Sequence, residues 1–377
     1  MPQSRPRETG IKENRVRYPV LRIIKDKVLS NARVIADMCG SLEIDVWGVT
    51  KGLSGDPRLA ALYEEAGFKG VSDSRIRNLK KIKMSGVSLP RQLMRIAMRS
   101  ELEDMPDIVD VSLQSEPETI RRLDEIYARR GVTGQVLLMI DVGDLREGFW
   151  PRELPRAGEY FHDLRGGVEI TGVAANFACA SGLLPSPENL ERLVSYRDML
   201  QDSLDYELPV ISVGGTCCLK LIEEKKVPRQ VNQVRVCEGV LLGMDTAFNR
   251  EIPYLERDAL TIVAEIIECK HKPSVPSGEI GLQSFGERPI FIDRGMRKRA
   301  LLGIGRQDVN VDRIIPLEQG VHIVTASSDH LIVDVTEADS TCSGEDFYKL
   351  GDTISFRPLY PAMLAASTSE FVELCFE

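Results

Sequence analysis

Eight apolar runs, each leading into a more polar stretch, occupy residues 46–242 and leave this chain very few possible folds. The runs fall at 46–50, 68–72, 92–98, 107–113, 134–142, 168–177, 208–213 and 233–242. They are short and rich in β-branched residues, as buried strands are. Residues 57–66, 75–84, 117–130, 154–164, 187–203 and 217–225 carry apolar side chains at helical spacing, and 26–38 adds a helix ahead of the first run. Strands alternating with helices imply parallel βα units, and eight such strands close a (β/α)8 TIM barrel. An open doubly wound sheet is the rival fold. Such a sheet usually shows G-x-G-x-x-G after its first strand, whereas the first run here ends in K-G-L-S-G at 51–55.

Beyond about residue 251 the helical periodicity fades. Short runs at 259–269, 289–293, 299–303, 322–326, 331–335 and 353–356 are separated by Gly, Pro and Asp turns, which predicts a C-terminal all-β domain. The expected organisation is a loose arm over 1–17, a barrel over 18–250 and a β domain over 251–377, with 18–25 able to join the latter. The chain carries a net charge of −9 without a long Lys/Arg cluster, which argues against nucleic acid as a partner. It has no apolar run near the length of a membrane span, and its first residues lack the apolar core of a signal peptide. Eight cysteines without a C-x-x-C pair predict reduced thiols in a cytoplasmic protein, and four histidines without ligand spacing predict no metal site.

A TIM barrel keeps its active site at the C-terminal ends of its strands. The polar residues at those ends are Lys51, then Asp73 and Ser74, Arg95, Asp141, Asp144 and Arg146, and Asn176. The seventh strand adds Ser212, Gly214, Gly215 and Thr216; the eighth adds Arg235, with Cys237, Glu238 and Gly239 after it. Paired glycines where a strand meets a helix let the backbone approach an anion, and the loops after strands seven and eight are the usual phosphate site of this fold. A lysine and a phosphate cradle at one mouth point to pyridoxal 5'-phosphate, which a lysine holds through its aldehyde. From these parts alone, a class I aldolase acting on a phosphorylated sugar is the alternative.

The chain resembles the alanine-racemase-like family of fold-type III pyridoxal phosphate enzymes, and within it the ornithine/lysine racemase branch. The motifs that carry the resemblance include Y-P-V-L-R-I-I at 18–24, V-T-K-G at 49–52, D-S-R-I-R-N at 73–78, I-D-V-G-D-L-R-E-G at 140–148 and V-N-Q-V-R at 231–235. Further ones are L-L-G-M-D-T at 241–246, N-R-E-I-P-Y-L at 249–255, D-R-G-M-R-K-R-A at 293–300 and A-S-S-D-H-L-I-V-D-V at 326–335. The resemblance implies that Lys51 carries the cofactor and moves the α-proton on one face. It places Arg146 near the phenolic oxygen, Asn176 against the pyridine ring, Thr216 on the phosphate and Arg235 at the pyridine nitrogen. An arginine there keeps that nitrogen unprotonated, which favours proton exchange over decarboxylation or transamination.

Two positions depart from the alanine racemase pattern. The turn whose tyrosine supplies the second base, from the partner subunit, is matched by Gly305-Arg306-Gln307-Asp308, and Gly55 stands where a phosphate-binding tyrosine is usual. Racemisation needs a proton donor opposite Lys51. The candidates are Ser328, Asp329 and His330 in the S-S-D-H turn, and Tyr360; Cys217 and Cys218 are weaker ones, since buried thiols usually only pack. The resemblance further implies a head-to-tail homodimer and a small amino-acid substrate, with ornithine, lysine or arginine favoured. Asp73, Asp144 and Glu147 are candidates to receive a cationic side chain. Two other readings remain: a pyridoxal phosphate D-amino-acid aldolase or dehydratase, whose metal-binding H-x-C pair is missing here, and a non-catalytic cofactor-binding protein.

Overall fold

The computed structural model describes residues 16–286, 288–341 and 347–377. Most of the predicted arm, and Cys342, lie outside them. Eight parallel strands close a barrel: Asp45–Val49, Gly70–Asp73, Arg91–Leu93, Val111–Gln114, Gly134–Met139, Val168–Asn176, Val210–Gly214 and Gln233–Val236. Each pairs with its successor, and the last closes on the first through Trp47↔Arg235 and its neighbours. Side chains alternate across a strand. Trp47, Val111, Leu113, Leu137, Met139 and Ala174 therefore turn inward as one small apolar cluster, while the opposite faces join a larger core with the surrounding helices.

Helix boundaries follow local chemistry. Pro57–Glu65 starts on the Asp56 side chain, which accepts from the Arg58 amide at 2.9 Å. Pro187–Leu204 starts on a reciprocal Ser186–Asn189 cap. Pro155 keeps 154–164 from forming one helix; it becomes Pro151–Arg156 followed by Ala157–Phe161. Part of the run at 107–113 is helical (Met105–Ile108), and the strand predicted over 233–242 stops at Val236, after which Glu238–Leu242 is a helix. A short apolar run has no periodicity with which to separate the two states.

The C-terminal part is built on a second sheet. Its strands lie in the order Ile314–Pro316, Thr353–Pro358, Leu260–Pro273, Met296–Leu302, Leu331–Asp334 and His322–Ala326. Val20–Ile23 joins this sheet, antiparallel to Leu260–Pro273 and parallel to Glu373–Phe376. The run 289–293 forms no strand; Ile290 and Ile292 are 92% and 68% exposed. Two helices, Thr336–Thr341 and Tyr360–Thr368, interrupt the β pattern. The second packs on the Lys51–Leu53 turn and so brings the C-terminal part onto the barrel mouth.

Candidate active site

Lys51 opens a single 3-10 turn, Lys51–Leu53, directly after the first barrel strand. The Ser54 amide donates to the Lys51 carbonyl and the Gly55 amide to the Thr50 carbonyl, both at 3.1 Å, which fixes the turn. Lys51 is half-buried, and its amine makes no hydrogen bond or ion pair among the described residues. Its charge is felt by Asp73, Cys179 and Cys237. Burial pushes the Cys237 thiol up to about 12, against the pull of Lys51. Position 55 has no room for the tyrosine of the resembled family. Gly55 has φ +66°, and a Cβ there would stand 2.3 Å from Asn78 Cβ.

Across the mouth, the strand Val210–Gly214 runs into Gly215, at φ +125°, and Thr216. The Thr216 hydroxyl accepts from the Gly239 amide at 3.0 Å, so the loops after the seventh and eighth barrel strands are tied together. A Cβ on Gly239 would crowd Thr216 Cγ2 at 3.1 Å. Glu238 accepts from the Thr246 amide and hydroxyl; burial raises its pKa against those two bonds.

The barrel register sets Asn176 beside Gly214, and Gly214 beside Arg235. Arg235 is 1% exposed. Its Nη2 donates at 2.9 Å to both the Ala175 carbonyl and Asn176 Oδ1, and its Nη1 donates to Ser212 Oγ. The guanidinium crosses the strand between because that strand offers a glycine. A Cβ at Gly214 would lie 2.4 Å from both Arg235 Nη2 and Asn176 Oδ1. Asn176 Nδ2 donates to Glu147 at 2.9 Å, and Glu147 pairs with Arg146. Burial is the largest single influence and opposes the charge on Arg146, but the Glu147 bond together with the charges of Cys179, Glu147 and Asp144 outweighs it and raises its pKa. Burial draws the Arg235 pKa down to about 10, which leaves it cationic at neutral pH.

Lys51, Arg146, Asn176, Gly214, Gly215, Thr216, Arg235, Cys237 and Glu238 thus all sit at the strand ends or in the loops just beyond them. Two of the three candidate acids are engaged in holding neighbouring loops. Asp73 is fully buried and takes Thr50 Oγ1 at 2.7 Å, the Arg75 amide at 2.9 Å and Asn78 Nδ2 at 3.0 Å. Asp144 takes the amides of Cys179, Ala180 and Ser181, which ties down the loop after the sixth barrel strand. Glu147 is spent on Arg146 and Asn176.

Ser328, Asp329 and His330 stand apart from this set, in a turn of the second sheet. His330 Nδ1 lies 3.1 Å from Asp329 Oδ1, which also accepts from Ser328 Oγ at 3.0 Å. The Arg306 and Gln307 amides donate to the Ser327 and Ser328 carbonyls at 2.9 Å, so the run 305–308 lies alongside this turn. Among the described residues no hydrogen bond or ion pair joins the turn to Lys51, Arg146, Asn176, Thr216 or Arg235 of the same chain. Tyr360 is the candidate that does belong to the same mouth. Burial first, then the charges of Cys237, Glu238, Cys179 and Asp73, raise its pKa far above the ordinary phenol. A feature not anticipated from the sequence is a row of polar side chains inside the barrel: Ser72, Gln92, Ser212 and Gln233, all buried. Its trace in the sequence is a polar residue within or at the edge of four of the apolar runs.

These residues fit pyridoxal phosphate. The fit shows in one atom: Arg235 Nε is buried and has no partner among the described residues, although the other polar contacts of that side chain are with the barrel wall. A ring nitrogen is an acceptor that such a donor lacks. Lys51 offers an amine, and Gly214-Gly215-Thr216 an anion cradle.

A closed βα barrel with a lysine and an anion cradle at its mouth, followed by an antiparallel sheet, defines the fold-type III pyridoxal phosphate class. The family description "Alanine racemase, N-terminal domain" matches residues 23–242. The lysine racemase of Thermotoga maritima is 38% identical, covering 96% of this chain and 99% of its own. The ornithine racemase of Acetoanaerobium sticklandii is 35% identical, covering 94% and 99%. Among solved structures, the alanine racemase of a D-cycloserine-producing Streptomyces lavendulae superposes with a TM-score of 0.72 at 16% identity, covering 95% of this chain and 96% of that one; this likeness is one of fold. The chain belongs to the alanine racemase family, and it is a pyridoxal-phosphate-dependent enzyme.

Proposed function

We propose that the chain interconverts the L and D forms of a basic amino acid, lysine or ornithine foremost. The observation that carries this reading is the amine of Lys51, unpaired among the described residues, at the barrel mouth that also holds the Arg235–Asn176 pair and the glycine cradle, in a chain 38% and 35% identical to a lysine and an ornithine racemase. When bound, pyridoxal phosphate withdraws electrons from the substrate's α-carbon and so acidifies its C–H. Gly214, Gly215 and Thr216 would hold the phosphate, and Arg235 Nε would meet the ring nitrogen. Asn176 would support the ring from the side on which it already bonds Arg235. Arg146, held by Glu147, would face the phenolic oxygen. Cys237 lines the base of the Lys51 turn, since a Cβ on Gly52 would stand 2.9 Å from its sulfur. Arg235 does not readily give up its proton, so the ring nitrogen it meets would stay unprotonated, which limits electron withdrawal into the ring and keeps the chemistry to proton movement. Lys51 Nζ takes the α-proton on its own face.

A proton must return on the other face. We assign that step to the turn Ser328-Asp329-His330 of a second copy. The His330–Asp329 pair orients the imidazole, and the same exposed turn offers a carboxylate to the cationic end of the substrate, a task for which Asp73 and Asp144 are not free. The exposed chain between Leu260–Pro273 and Met296–Leu302 favours a head-to-tail homodimer: Leu282, Phe285, Ile290 and Ile292 are 69%, 52%, 92% and 68% exposed. We place the enzyme in the cytoplasm, in keeping with its free thiols; no described helix is long and apolar enough to cross a membrane.

Incubation of each enantiomer of lysine, ornithine, arginine, alanine and serine in D2O, with chiral analysis, tests the activity. Uptake of α-deuterium with inversion is expected, fastest for lysine or ornithine. Uptake with retention would remove the two-face mechanism, and no uptake would leave a lyase or a cofactor carrier. In sedimentation velocity the protein is expected as a dimer, and joint Ile290→Lys and Ile292→Lys substitution as a monomer with racemisation lost. A variant that remained dimeric and active would exclude this surface from the interface.

A further inference from the structure

The inward-facing polar side chains of the barrel form one connected row. Arg235 Nη1 donates to Ser212 Oγ, which can accept there because its own hydrogen goes to Gln233 Oε1, 2.5 Å away. Gln92 Nε2 donates to the same Gln233 oxygen at 3.4 Å, and Gln92 Oε1 accepts from Ser72 Oγ at 2.8 Å. Ser72, Gln92 and Ser212 are fully buried and Gln233 is 8% exposed. The row has one consistent direction: the guanidinium can only donate, Ser212 accepts from it and donates to Gln233 Oε1, and Gln92 turns its Nε2 to that same oxygen and its Oε1 to the Ser72 hydroxyl.

The row has a physical task. A buried guanidinium must be met by dipoles of the right sign. Every direct partner of Arg235 is neutral: a carbonyl, an amide oxygen and a hydroxyl. Of these, only the hydroxyl is free to rotate its hydrogen toward the arginine and turn from acceptor to adversary. We propose that Ser212, Gln233 and Gln92 are positioning residues that lock this hydroxyl as an acceptor and hold Arg235 with Nε toward the cofactor ring. The row thereby sets cofactor affinity and the protonation behaviour of the ring from the barrel interior, without touching it. This rests on the cofactor reading above.

The test is equilibrium binding of pyridoxal phosphate to the stripped protein, with a pH titration of the bound cofactor's absorbance. Ser212→Ala and Gln233→Leu are expected to weaken binding about tenfold each and to move the absorbance midpoint, the ordinary effect of an unmet buried partner. Gln233→Glu keeps an oxygen acceptor for both Ser212 and Gln92, and binding is expected to return to within about threefold of the parent. Gln92→Leu, one link further out, is expected to show the same change at smaller amplitude and keeps the test open should a nearer variant not fold. Parental binding and midpoint in Gln233→Leu and Gln92→Leu would overturn the proposal, as would a Gln233→Glu variant as defective as Gln233→Leu. If the parent protein itself bound no pyridoxal phosphate, the cofactor reading would fall instead.

Discussion

Replacing Lys51 with alanine is expected to abolish covalent attachment of the cofactor and to lower racemisation by at least about a thousandfold, the upper range for removal of a positioned acid–base group. The fold should not notice. The Lys51 side chain is half-buried and makes no hydrogen bond or ion pair among the described residues, and a change at such a position ordinarily moves stability by no more than about 0.5 kcal/mol. Absorbance of the purified variant with added pyridoxal phosphate, borohydride trapping and a chiral assay separate the two effects. A variant that racemised at the parental rate, or whose parent trapped no cofactor at this residue, would remove Lys51 from the mechanism. One that unfolded at a much lower temperature would show a structural role that its lack of bonds does not allow.

Arg235→Met is expected to have the second largest effect. Methionine fills much of the same volume without the charge. Three acceptors lose their donor, namely Ser212 Oγ, the Ala175 carbonyl and Asn176 Oδ1, and each unmet partner costs about 1–3 kcal/mol. The loss is offset in part because a guanidinium no longer has to be buried. The protein should therefore fold while binding pyridoxal phosphate at least about tenfold more weakly and racemising about a hundredfold more slowly. Arg235→Lys should rescue little, because an ammonium cannot reach Ser212, Ala175 and Asn176 from one strand position in the planar geometry that the guanidinium uses. Parental cofactor affinity in both variants, measured on the stripped protein, would dissociate Arg235 from the ring.

The barrel was legible because its signal is redundant. Each strand is a short apolar run, each helix repeats its face, and turn residues fall between them, so a misplaced boundary at 107–113 or 233–242 leaves the count unchanged. The C-terminal part was less so. The run 289–293 has the composition of a strand but finds no partner, whereas Val20–Ile23, far away in sequence, pairs with Leu260–Pro273 and Glu373–Phe376. Strand identity there depends on what lies alongside, which pairing decides and composition does not. Tyr360 shows the same limit. Sequence offers it as one proton donor among several, and only the packing of its helix on the Lys51 turn brings it to the mouth.

By itself, the sequence determined the strand count, the side of the barrel on which chemistry sits and the residue types available there, because period and turn chemistry are local properties. Which of those residues are free to act was decided only in three dimensions. Asp73, Asp144 and Glu147 are equal candidates as letters, yet Asp73 is consumed by Thr50, Asn78 and the Arg75 amide, Asp144 by loop amides and Glu147 by Arg146 and Asn176. Lys51 alone of the mouth's cations was left unpaired among the described residues named here, with Arg146 held by Glu147 and Arg235 by the barrel wall. The same holds for the polar row beneath Arg235, whose members are 20, 141 and 21 residues apart along its successive links. Closure of the barrel brings these strands together, and a hydrogen bond needs its partners within about 3 Å, a proximity that chain order does not encode.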